Sequence, residues 1–325
     1  MTNKRDTVAY GAGNALLGLI ENDPTLFDWV VDDTPGYAGQ EIAGLPIYPF
    51  EKALAMKGNV KLVVCAQTST AAVAIARKLA ASGFAEGADF IDCSEIQIER
   101  MSRRMNDVLG LGDHPNLRQS VALSVKSLPL RNLSGIAGTW LFCALVDALD
   151  NHSGQIAECG VYQGANAIAA LECCPSLRGK HYCLFDSFEG LKNCGTHDPA
   201  SRQNEFSDTS LSRLRSSLAI YPACSIHEGY FEQTLPSLAD ASWDLVYIDC
   251  DLSAPAKFCA EYFWPRMPRG ALMLVHDYWY PTVTAPQGFP EPFRGMRLAV
   301  DEFLQGKTFS SVVFPETSHM LIRKD

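Results

Sequence analysis

The sequence predicts an α/β protein made of two tandem doubly wound, Rossmann-like domains. Three observations carry this. Strand-like and helix-like stretches alternate in two separate series, each series opens on a strand running into glycines (VAYGAG and ECGVYQG), and a polar stretch separates them. In the first series TVAY leads through GAG into the helix NALLGLIEN. FDWVVDD reads as a second strand, GLPIYPFEKAL as an extended piece entering a short helix, and NVKLVVCA as a third strand. TSTAAVAIARKLAASG has a Thr or Ser cap and a glycine stop, the marks of a helix, and ADFIDCS is a fourth strand. The first domain is therefore expected over 1–95.

From Ile96 the pattern breaks. IQIERMSRRMNDVLGLGDHPN is polar and carries three close arginines, so 96–117 is expected as a linker, with room for one helical turn set. Two helices, LRQSVALSVKSL and GIAGTWLFCALVDALDNH, lead into the second domain, expected over 118–325. Its series runs QIAECG, GANAIAALECC, HYCLFDS, a long polar stretch to SLSRLRSSLA, ACSIHEG, WDLVYIDCD, FCAEYFW, GALMLVHDYW and MRLAVDEFLQ. The closing pair, FSSVVFPE and HMLIRKD, looks like a hairpin and predicts one antiparallel strand in an otherwise parallel sheet.

With 325 residues, 47% of them hydrophobic, the chain has material for two cores. A formal charge of −10 argues against nucleic-acid or anionic-membrane partners, which need a basic surface. The expected partner is a small molecule, with self-association into a homo-oligomer. The opening MTNKRDTVAYGAG has no apolar signal stretch and no run is long enough for a bilayer, so a cytoplasmic location is expected. The 11 cysteines form no CxxC pair and fall mostly in apolar segments, which reads as reduced, packed thiols.

ECGVYQGANAI ends a strand at Glu158 and Gly160 and opens a helix at Gly164. Glycines there allow a sharp turn and close approach of a ligand to unpaired helix amides. The spacing is E-x-G-x-x-x-G, not the dinucleotide G-x-G-x-x-G, so a pyrophosphate is not the natural guest. One strand later, Asp186 in CLFDS is placed to accept hydrogen bonds from both hydroxyls of a ribose. Tight structural turns remain the alternative reading of the glycines alone.

ECGVYQG, FDSFEGL, HEGYFEQTLP, YIDCDL and VHDYW, in order over about 118–325, together resemble the macrocin O-methyltransferase family. The resemblance implies a class I methyltransferase sheet and an S-adenosylmethionine-dependent, metal-assisted enzyme methylating sugar hydroxyls in natural-product biosynthesis. It implies Glu158, Gly160 and Asp186 at the cofactor, and Gly164, Ser187 and Asp249 complete the expected cofactor set.

WDLVYIDCD and GALMLVHDYW deliver Asp249, Asp251, His276 and Asp277 to the ligand edge of the sheet. Unpaired, these acids repel and raise one another's pKa, a conflict that a divalent cation such as Mg²⁺ removes. The family's metal ligands carry over to Asp251, His276 and Asp277. His276 stands where the family has an acid, and imidazole suits a transition metal better than magnesium. Asp251 is the expected general base, with His276 as second choice. The polar stretch 191–210 is a candidate lid, with His197, Asp198 and Arg202 as candidate substrate contacts, and YWYPTVTAPQGFPEPF is a candidate pocket wall through Trp279 and Tyr280.

In the first domain VAYGAGNALLG lacks the third fingerprint glycine, having Leu16 and then Gly18, while Asp32 and Asp33 sit where a ribose acid would. A structural role is favoured there over nucleotide binding. Two rival readings remain: a nicotinamide-dependent oxidoreductase using the first domain, and a non-catalytic nucleotide sensor with a decayed metal site.

Overall fold

In the computed structural model the described residues are 5–21, 23–66, 68–111, 114–149, 153–281, 286–287 and 293–325. The first unit holds β1 (Asp6–Tyr10), α1 (Asn14–Ile20), β2 (Trp29–Val31), β3 (Glu41–Ile42), β4 (Leu45–Tyr48), α2 (Phe50–Ala55), β5 (Val60–Val64), α3 (Ser69–Ala81) and β6 (Phe90–Asp92). They build a six-stranded sheet in the order β3-β4-β2-β1-β5-β6, parallel except for the short β3. Runs such as VKLVV are buried on both faces, one under α1 and the other under α2 and α3.

The stretch expected as a linker is instead a regular helix, α4 (Ser94–Leu109). Ile98, Met101, Met105 and Leu109 recur at helical spacing on its buried side and join the core of the second unit. Its arginines bond outward or along its flanks: Arg104 donates to the Val313 carbonyl at 3.0 Å and to Glu316. Polar composition hid an amphipathic helix.

The second unit continues with α5 (Pro115–Ser127), α6 (Gly135–Ala148), β7 (Gln155–Cys159), α7 (Ala165–Cys173), β8 (Tyr182–Asp186), α8 (Leu211–Leu218), β9 (Cys224–Glu228) and α9 (Phe231–Thr234). Then come β10 (Trp243–Ile248), α10 (Ser253–Phe263), β11 (Leu272–Val275), α11 (Arg294–Leu304), β12 (Phe309–Phe314) and β13 (His319–Lys324). The seven strands lie in the order β12-β13-β11-β10-β7-β8-β9. β13 runs antiparallel to both neighbours, as the closing hairpin foretold. One core lies under α4 to α7 and the other under α10 and α11, so the sheet is covered on both faces.

The two units touch through α1 and the turn after β12. A Cβ at Gly18 would lie 2.2 Å from the Pro315 carbonyl oxygen, so the glycine that follows the broken fingerprint serves helix-to-turn contact. Gln97 Nε2 donates to the Glu316 carbonyl at 2.7 Å beside it. No helix of the described residues is long and apolar enough to cross a membrane.

Candidate active site

β7, β8, β10 and β11 are parallel neighbours, so their carboxyl ends share one edge. Gly160 leaves β7 with φ +94°, and a Cβ there would sit 1.8 Å from the Asp249 carbonyl oxygen. Only glycine lets this turn close against the end of β10. Gly164 is left-handed as well, and no side chain caps the α7 it opens.

Asp186 ends β8 and reaches back under the turn. Its Oδ2 accepts the N–H groups of Val161 (2.7 Å) and Tyr162 (2.9 Å), and its Oδ1 accepts that of Phe188 (2.7 Å). Burial pushes its carboxyl up while these three amides pull it down. Oδ2 is filled, but Oδ1 keeps one acceptor position for a ligand hydroxyl. Ser187, half-buried beside it, accepts the Glu189 N–H at 3.3 Å. Glu158, 2% exposed, accepts a hydrogen bond from the Tyr182 hydroxyl and faces the Asn166 amide at 3.5 Å. Burial pushes it up to about 8, with Asp249 and Asp186 adding and Tyr182 opposing.

Asp249 is engaged within the protein: Oδ1 lies 2.7 Å from His276 Nδ1, and Oδ2 accepts the Tyr247 hydroxyl at 3.0 Å. The same hydroxyl is 3.1 Å from His319 Nε2, making a buried chain His276–Asp249–Tyr247–His319. Burial pulls His276 down, but Asp249 and Asp277 outweigh it and raise it to about 10, so it is an imidazolium at neutral pH. His319 is driven the other way, by burial and by His276. Tyr247 and His319 escaped the sequence reading; strand alternation puts Tyr247 on a buried face, but no local signal gives its partner.

Asp251 and Asp277 both have left-handed backbone, φ +62° and +52°, a conformation unusual outside glycine. Their carboxyl groups hydrogen-bond each other. Burial first, then Asp277 and Asp249, raises Asp251 well above the usual range. Asp277 is raised by burial against the pull of His276. Among the described residues no group of three or more His, Cys, Asp or Glu is set to hold a metal ion. The expected ligands Asp251, His276 and Asp277 are instead turned toward one another or toward Asp249, their charges balanced by a shared proton and an imidazolium. They do not fit the metal in this arrangement.

In the long loop, Asp198 is buried and accepts the Ser253 N–H at 2.9 Å and its hydroxyl at 3.0 Å, capping α10. His197 is exposed. Arg202 pairs with Glu205 at 2.8 Å and lies over the Phe293 ring. Trp279 packs into the core of the first unit, and Tyr280 lines the cleft. Part of the expected pocket wall, 282–285 and 288–292, lies outside the described residues. One cavity of about 1410 Å³ joins these features: Gly160, Asp186, Asp251 and His276 line it, as do Gly11 and Asp32 of the first unit.

Residues 157–278 match the family model of a methyltransferase domain. That segment covers the glycine turn, Asp186 and all four rim residues, so the chain is an enzyme carrying a methyltransferase domain on the second sheet. Among solved structures, the O-methyltransferase NovP matches at 17% identity and TM-score 0.49, over 71% of this chain and 97% of its own. CalS11, a calicheamicin methyltransferase, matches at 18% and 0.48, over 64% and 91%. An O-methyltransferase from Bacillus cereus in complex with SAH matches at 14% and 0.38, over 70% and 100%. Likeness at that level says nothing of the acceptor. No curated protein matches the chain.

Proposed function

We propose that the protein is an S-adenosylmethionine-dependent O-methyltransferase whose acceptor is a hydroxyl of a sugar or sugar-bearing metabolite. The observation that carries it is the Asp251–Asp277 carboxyl pair standing in the same cleft as the Gly160 turn and Asp186. In this reading Glu158, Gly160, Gly164, Asp186 and Ser187 cradle the nucleoside, with the free acceptor position of Asp186 Oδ1 on a ribose hydroxyl. The sugar acceptor rests on the five motifs shared with the macrocin O-methyltransferase family.

The donor brings a positive sulfonium to an acid-rich rim, which favours ionised carboxylates. The pair then releases its shared proton to solvent water, and Asp251, now ionised, serves as general base. The acceptor oxygen attacks the methyl carbon, the carbon–sulfur bond breaks with its electrons on sulfur, and Asp251 takes the hydroxyl proton. Alignment of such an in-line displacement is worth about 7–11 kcal/mol. Asp249 holds His276 by Nδ1, so the imidazolium stands beside the developing oxyanion. No step is routed through a metal.

The test is transfer of a labelled methyl group from S-adenosylmethionine to a panel of free, glycosidic and nucleotide-linked sugars, with Asp186→Ala and Asp251→Asn as controls. We expect one class to be labelled, weaker S-adenosylhomocysteine binding in Asp186→Ala, and loss of turnover with retained binding in Asp251→Asn. A protein that binds no S-adenosylhomocysteine at all defeats the reading.

A further inference from the structure

The carboxyl edge of the six-stranded sheet opens into the same cleft as the methyltransferase rim, and the two edges repeat one construction. Gly11, at φ +120°, backs onto the Cys65 carbonyl, where a Cβ would meet the oxygen at 2.5 Å, as Gly160 backs onto Asp249. Asp32, just after β2, accepts the Ala12 N–H at 2.6 Å and the Thr34 N–H at 2.7 Å, as Asp186 accepts Val161, Tyr162 and Phe188. The strand order β2-β1-β5 matches β8-β7-β10. The first unit therefore carries the same frame that the proposed function assigns to the donor's nucleoside in the second. At about 1410 Å³ the cleft exceeds the roughly 300–1,000 Å³ of a pocket for one small molecule, which leaves space for a second ligand.

The first unit's part of the cleft suits a nucleotide. Tyr37, Ala66, Ala71 and Ile75 give an apolar wall for a flat base. Asp33 is already answered by the Tyr10 hydroxyl at 2.5 Å and Lys78 at 2.8 Å, and so repels an anion little. Arg131, between α5 and α6, also lines the cleft, but on the second unit's side, where it acts on Tyr162 and its backbone N–H donates to Gln163. Trp279, two residues past Asp277, is fixed in the first unit's core, so one segment ties the two rims together.

We infer that the acceptor is a sugar carried on a nucleoside diphosphate. Its nucleoside seats at the Gly11–Asp32 edge, and its sugar crosses the cleft to Asp251. The inference rests on the methyltransferase reading, for the sugar end directly and for the nucleoside end through the likeness of the two edges. Gly13 lines the cleft with extended backbone (φ −116°, ψ −170°), and a Cβ there meets no atom within 4 Å. Gly13→Leu thus fills the nucleoside seat without disturbing the chain or the donor site.

The experiment titrates UDP, TDP, ADP and GDP calorimetrically into the full chain, with and without saturating S-adenosylhomocysteine. The expected result is one diphosphate that binds alongside S-adenosylhomocysteine and is weakened at least about tenfold, or about 1.4 kcal/mol, by Gly13→Leu, donor affinity being unchanged. Donor binding with no diphosphate binding overturns the inference, as does a diphosphate that competes with S-adenosylhomocysteine and ignores Gly13→Leu. Diphosphate binding sensitive to Gly13→Leu, in a protein that binds no S-adenosylhomocysteine, supports the first-unit seat and sinks only the methyl-donor reading.

Discussion

Glu158→Gln probes the electrostatics of the cofactor end directly, through stability. Glu158 is 2% exposed and its carboxyl is pushed up to about 8, from an ordinary value of 4.5, chiefly by burial. The folded protein therefore holds this proton between those two values while the unfolded chain has lost it. Fewer protons bound unfolded than folded means that stability falls as pH rises through that window, and levels off above it. For one group with these values the cost is about 1 kcal/mol at pH 5 and about 4 kcal/mol at pH 8, a difference of about 3.5 kcal/mol. Glutamine keeps the shape and an oxygen for the Tyr182 hydroxyl but carries no proton to lose. Urea unfolding at pH 5 and pH 8 measures it: the wild type should lose about 3.5 kcal/mol more than the variant across that interval. Other groups, His276 included, titrate in both proteins and cancel in the comparison. Parallel pH profiles for the two would mean that Glu158 is ionised in the folded protein, and the reasoning would be refuted.

Two further outcomes follow from the rim. Gly160→Ala forces a methyl into the Asp249 carbonyl, 1.8 Å away, on left-handed backbone, and should cost more than about 3 kcal/mol; a wild-type melting temperature would contradict this. Wild-type methyl transfer should continue in EDTA, because the Asp251–Asp277 proton and the His276 imidazolium already balance the rim. His276→Asp, which removes that cation and adds a carboxylate, should be inactive in EDTA and recover with Mg²⁺. Wild-type activity abolished by EDTA and rescued by Mg²⁺ would reverse the assignment.

Much of the fold was legible because buried parallel strands leave a strong mark. WDLVYI is buried at every position, and a run that apolar, bounded by turn residues, has few other homes. The helix at 94–109 was the main miss, and its signal was present. Ile98, Met101, Met105 and Leu109 are spaced three, four and four apart, but the arginines between them raise the average polarity of the stretch and mask that spacing. The acids at the strand ends were legible for the same reason as the strands, since the carboxyl edge is where a parallel sheet presents its next residues. Their pairing was not legible. Whether Asp249 turns to a ligand or to His276 is decided by a residue 27 positions away on a neighbouring strand, and by the Tyr247 hydroxyl on its other oxygen. Likewise Asp198, read as a substrate contact, caps a helix that begins 55 residues later.

Backbone strain is also present at this edge. Tyr162, Phe188, Asp251 and Asp277 all take left-handed conformations without being glycine, and each follows a strand of the methyltransferase sheet. Such a conformation costs on the order of 1–3 kcal/mol and persists only where surrounding contacts enforce it. At Asp251 and Asp277 the enforced turn brings two carboxyl groups from adjacent strands within hydrogen-bonding reach, a pairing that extended backbone at the ends of β10 and β11 would carry apart. Glycine at either position would ease the strain and remove the acid with it. Asparagine, which tolerates the left-handed region, preserves the turn and removes the ionisable group. That is why Asp251→Asn, rather than Asp251→Ala, separates the chemistry of the pair from the fold that presents it.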